Sequence, residues 1–70
     1  MPVTQLDVRD LRCPMTWVRT KLALERLAPG EALEVALPPG ESLDEVPRSA
    51  RAAGHAVTLD GTVATIVRAA

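Results

Sequence analysis

The fold is decided by the stretch VTQLDVRDLRCPMTWVRTKLALERLAPG, residues 3–30. From Val3 to Arg9, Leu6 and Val8 alternate with Gln5, Asp7 and Arg9, the two-residue period of a half-buried strand. Asp10-Leu11-Arg12-Cys13 breaks that alternation. Pro14 follows, and its fixed φ suits the first position of a helix. From Pro14 to Ala28 there is no glycine, and Leu, Ala, Arg, Lys and Glu, all good helix formers, predominate. Pro29-Gly30 stops the helix.

The rest of the chain extends this strand–loop–helix unit. Leu33, Val35 and Leu37 alternate with Ala32, Glu34 and Ala36, a second strand that Pro38-Pro39-Gly40 ends. Ser42 is placed to cap a second helix, with Glu45 three residues on in the capping-box spacing. Leu43, Val46, Ala50 and Ala53 share one face of it. Pro47 is expected to kink this segment, so that its regular part begins nearby, and Gly54 terminates it. His55–Leu59 and Thr62–Arg68 are β-branched runs joined by Asp60-Gly61, a hairpin signal. The order strand, helix, strand, helix, strand, strand predicts a two-layer α/β sandwich in which both helices pack on one face of a four-stranded sheet.

Composition narrows the function. Seventy residues make one domain, spanning 1–70, with a thin core and little room for a deep substrate cavity. Trp17 is the single aromatic, so that core is aliphatic. A net charge of −1, with Arg and Lys interleaved with Glu and Asp, argues against a general nucleic-acid binder. No apolar run approaches the ~20 residues that span a bilayer. One cysteine and one histidine make neither an internal disulfide nor a structural zinc site, so no cofactor or metal is expected. A free thiol behind an N-terminus without signal-peptide features fits the reducing cytoplasm.

Chemistry concentrates at Cys13. The first N–H groups of a helix lack acceptors and carry the positive end of its dipole. A thiol there has its anionic, nucleophilic form stabilised. Arg9, Arg12, Arg19 and Lys21 lie close enough in sequence to act in the same direction, and the Thr16 hydroxyl is three residues away. Free cysteine is also a common small core residue, so the local pattern alone leaves its reactivity open. Without a second cysteine, dithiol exchange within the chain is excluded. His55 is the one imidazole available as a base, and no Asn is present to orient it. What survives is a thiol that accepts and passes on a small group while other proteins supply the catalysis.

Leu6-Asp7, Leu11-Arg12-Cys13-Pro14, Leu27-Ala28-Pro29-Gly30-Glu31, Val46-Pro47 and Gly54-His55 together resemble the TusA/SirA-like sulfur-carrier family, without gaps from Cys13 to His55. The resemblance implies a mixed four-stranded sheet with two helices, and a persulfide on Cys13 supported by Arg12, Pro14 and Thr16. It further implies a cysteine desulfurase or rhodanese-like sulfur donor, and a downstream acceptor in tRNA thiolation, cofactor maturation or sulfur metabolism. A regulatory or protein-binding module of the same fold, and a redox-sensing thiol, are the alternatives. The family's Cys-Pro-x-Pro signature here reads Cys13-Pro14-Met15-Thr16, which exchanges a rigid ring for a hydroxyl. Asp10 replaces a usual glycine, and Pro38-Pro39-Gly40 a usual acidic stretch.

The resemblance also places Trp17, Thr20, Leu24 and Leu27 against the sheet, with Trp17 as a core anchor. Met15, Val18 and Leu22, beside Arg19, then form a second stripe on the opposite side. Exposed next to the thiol, it would serve as a surface for a partner or for a second copy of the chain.

Overall fold

A computed structural model of the chain describes residues 3–12 and 14–69. The elements follow the expected order: β1 (Val3–Asp7), α1 (Met15–Glu25), β2 (Ala32–Ala36), α2 (Ser42–Ala52), β3 (Ala56–Asp60) and β4 (Val63–Val67). In space the sheet runs β1-β2-β4-β3. β1 lies parallel to β2, as a helical crossover requires, and the other two pairings are antiparallel.

The pleat then separates the two faces. Leu33 and Val35 of β2 and Ala64 and Ile66 of β4 are fully buried beneath Leu24 of α1 and Val46 and Ala50 of α2. On the other face Gln5, Glu34, Thr65 and Thr58 line up in one cross-strand row. The core is aliphatic, as composition predicted.

Several boundaries differ from the sequence reading, each for a local reason. β1 stops at Asp7 because its carboxylate captures the Arg9 N–H at 3.0 Å and the Arg9 guanidinium, turning the chain. In α1, Pro14 sits one position outside the helix and Met15 opens it. Ser42 does not cap α2: Glu41 holds the cap position, and no side chain closes it. The first turn relies instead on the carbonyls of Gly40 and Glu41, which accept from Leu43, Asp44 and Glu45. Nor does Pro47 set the start of that helix. It is buried within a continuous α2, at the loss of one intrahelical bond.

The hairpin turn is one residue later than Asp60-Gly61. Asp60 pairs with Val63, leaving Gly61-Thr62 as the loop. Gly61 has φ +61°, and no non-glycine residue described has positive φ. Positive φ at the first loop position alone is the II′ pattern, which asks for glycine there rather than at the second.

The helix ends are well satisfied. After α2, Gly54 at φ +95° lets its own N–H reach Arg51 C=O and the His55 N–H reach Ala50 C=O, a Schellman stop. After α1, the Arg68 guanidinium arrives from the strand β4 side and donates to the carbonyls of Glu25, at 3.1 Å, and Leu27. A cation there opposes the negative end of the α1 dipole. Arg68→Met is therefore expected to lower stability by about 1–2 kcal/mol in urea unfolding, with the slope unchanged.

Candidate functional site

The loop between β1 and α1 is anchored from below and exposed above. Val8 is buried and its N–H extends the β1–β2 ladder to Ala36 C=O at 3.0 Å; Leu11 packs on the core. Arg12 and Pro14 are both exposed. Cys13, between them in sequence, lies outside the described residues. The Arg12 carbonyl accepts the N–H groups of Met15 (2.7 Å) and Thr16 (3.3 Å), so the first turn of α1 hangs on the residue just before the cysteine.

Thr16 does not turn its hydroxyl toward the loop. It is wholly buried, and its Oγ1 lies 3.1 Å from Ser42 Oγ, itself buried. Thr20 Oγ1 in turn donates to Thr16 C=O at 2.7 Å. Thr16 is the second residue of α1 and Ser42 the first of α2, so this contact joins the opening turns of both helices. Two helix N-termini thus converge at one end of the sheet, and their positive dipole ends add. No reading of local sequence finds this, because Ser42 is a neighbour only across the fold. Beside the junction a depression of about 530 Å³ opens between Arg9, Leu11, Arg12, Pro38, Pro39 and Glu41.

The cations read from sequence divide by location. Arg9 is committed to Asp7, 2.8 Å away. Its hydrogen bonds to Asp7 hold that carboxyl well below the ordinary aspartate value, at about 2. Lys21 sits on the flank of α1 shared with Trp17 and His55, and Arg19 on the flank facing β1. Arg12 makes no ion pair among the described residues and is exposed at the loop. Among the described residues no cluster of His, Cys, Asp and Glu could hold a metal, and no helix is long and apolar enough to cross a membrane.

The second stripe of α1 is on the surface: Met15 is 47% exposed, Val18 39% and Leu22 51%. The buried stripe is Thr16, Thr20, Leu24 and Leu27. Trp17 is not the core anchor expected of it; half-buried, it packs on the rim of the core, and Thr16 takes the interior position. His55 accepts the Ala69 N–H at its Nδ1, 3.0 Å away, tying down the end of the chain far from the loop.

A family model described as sulfurtransferase TusA matches residues 4–68. The chain belongs to the TusA family of sulfurtransferases. It is 42% identical over 52 residues to a protein of Archaeoglobus fulgidus and, equally, to one of Thermotoga maritima, each named "Putative sulfur carrier protein". Those matches cover 74% of this chain but only 59% and 66% of the respective relatives. No solved structure matches significantly.

Two outcomes follow from the site. Thr16→Val and Ser42→Ala should each cost about 1–2 kcal/mol by stranding one buried hydroxyl, and the double variant should cost less than their sum. Asp7 is the second. A depressed folded pKa makes its contribution complete above the unfolded value of about 4 and lost as pH falls toward about 2. An NMR titration of the Asp7 carboxyl should give a midpoint near about 2, returning toward the ordinary value in Arg9→Ala.

Proposed function

We propose that the chain is a sulfur carrier whose Cys13 holds sulfane sulfur as a persulfide. The Cys13 thiolate attacks the terminal sulfur of a donor protein's persulfide. One S–S bond forms, the donor's S–S bond breaks, and the donor cysteine leaves as its thiolate. An acceptor thiolate then takes the terminal sulfur in the same way and releases Cys13. Neither exchange needs an outside oxidant or reductant.

The observation that carries this reading is the convergence of the α1 and α2 N-termini, joined by Thr16 and Ser42, at the loop that holds Arg12 and Pro14. Positive helix ends and the exposed Arg12 guanidinium favour a thiolate at residue 13. Membership of the TusA family, and relatives named as sulfur carriers, support the same role.

Arg12, Pro14 and Thr16 then support the thiol in distinct ways: charge, a fixed entry into α1, and attachment of α1 to α2. Met15, Val18, Arg19 and Leu22 form the surface on which partners dock. Those partners are a cysteine desulfurase or rhodanese-like donor and an acceptor protein in tRNA thiolation, cofactor maturation or sulfur metabolism, in the cytoplasm. The shallow depression suits this division of labour, since both reacting groups belong to proteins.

Intact-mass spectrometry after incubation with a cysteine desulfurase and cysteine tests the reading. A gain of one sulfur that reductant reverses, and that Cys13→Ser abolishes, is the expected result. Val18→Glu with Leu22→Glu should slow loading at least tenfold while leaving the circular dichroism spectrum unchanged, because both side chains are exposed. Absence of any adduct on the wild-type chain, with Cys13→Ser still binding its partners, would turn the reading toward a binding module.

A further inference from the structure

β1 and β3 are the two edges of the sheet, and the fold treats them differently. On β3, the Arg51 guanidinium reaches over the edge to Val57 C=O at 3.4 Å, blunting it. No described side chain does this for β1. The Val8 N–H points to β2, where it meets Ala36 C=O. Strand alternation therefore turns the N–H and C=O groups of Val3, Gln5 and Asp7 outward, away from β2. These groups form a row of unused donors and acceptors.

Alongside that edge runs a groove of about 540 Å³ between β1 and α1, lined by Thr4, Leu6, Arg19, Leu22, Ala23 and Arg26. Its floor is apolar. Its rim carries two guanidinium groups, and among the described residues neither Arg19 nor Arg26 has a carboxylate within ion-pairing distance. An open strand edge asks for extended backbone, and unpaired arginines ask for carboxylates.

We propose that the β1 edge accepts an extended, acidic segment of a partner protein as a fifth strand. The backbone of the segment pairs with Gln5 and Asp7. Its side chains on the helix side put carboxylates on Arg19 and Arg26 and apolar groups on Leu6 and Leu22. A second copy of this chain is the poorer occupant, because two-fold pairing of β1 with β1 brings the arginine rims of both copies together. The inference is independent of the chemistry at Cys13.

The test is a titration of the ¹⁵N-labelled full chain with an acetylated peptide of about seven residues whose odd positions carry glutamate and valine in turn, with threonine at the even ones, so that one face of the strand presents both. Binding at about 0.1–1 mM is expected, with slowed hydrogen exchange at the Gln5 and Asp7 amides. Arg19→Glu combined with Arg26→Glu should weaken it about tenfold or more, and lysine in place of glutamate in the peptide should abolish it. Four results would overturn the proposal: no binding up to several times that concentration, shifts on α1 without slowed exchange at Gln5 and Asp7, equal affinity for the lysine peptide, or sedimentation of the free chain as a dimer whose β1 amides are protected.

Discussion

Parallel pairing of β1 with β2 dictates where the helices begin. A strand that must be followed by a parallel neighbour needs a crossover, so the chain leaves β1 at one end of the sheet and returns through α1. β2 runs in the same direction and delivers the chain to the same end, where α2 starts. Two helix N-termini therefore meet beyond the carboxyl ends of β1 and β2, the place where open α/β sheets commonly hold their sites. With an antiparallel pair in its stead, β2 would deliver the chain to the opposite end, α2 would begin there, and the α1 N-terminus would stand alone at the loop.

Convergence has a cost that the sequence meets locally. Two bundles of unsatisfied N–H groups repel as dipoles, and neither helix has a side-chain cap. The hydroxyls of Thr16 and Ser42 fill the gap between the opening turns without adding charge, and Thr20 secures Thr16 from below. Negative charge is kept to one side: α2 carries Asp44 and Glu45 in its first turn, whereas α1 has no acidic residue there.

Much of this was legible from residues 3–30. The alternation around Leu6 and Val8 and the glycine-free run after Pro14 specify strand and helix because burial on one face enforces their periods. The sequence sets Met15, Val18 and Leu22 on a second stripe without deciding whether it is covered, and the structure exposes it. The failures share a cause. Ser42 reads as a cap from its neighbours in sequence, and Trp17 as a core residue from the resemblance, but partners distant in sequence decide both. Thr16 takes the interior position, where its hydroxyl meets that of Ser42 across the two helices. Arg68 closing α1 from forty residues away belongs to the same class. The turn at Gly61 was missed by one register, since Asp60-Gly61 satisfies one hairpin geometry and Gly61-Thr62 another, and pairing across the strands selects between them.

The uneven covering of α1 and α2 bears on function as much as the site does. α2 buries Val46, Pro47 and Ala50 and gives solvent Asp44, Arg48 and Arg51, with Arg48 and Asp44 paired on its surface. α1, equal in length but richer in apolar residues, buries one stripe and leaves another in water. Core packing does not account for Met15, Val18 and Leu22, which among the described residues stay only partly covered. Their area is also far below that of a permanent interface, which commonly buries roughly 800 Å² on each partner. A patch of three aliphatic side chains, edged by arginines without counter-charges, favours contacts that form quickly through charge and part quickly for want of buried area. The carrier role proposed above requires leaving one partner to reach the next, and such a balance on the helix that follows Cys13 fits that proposal.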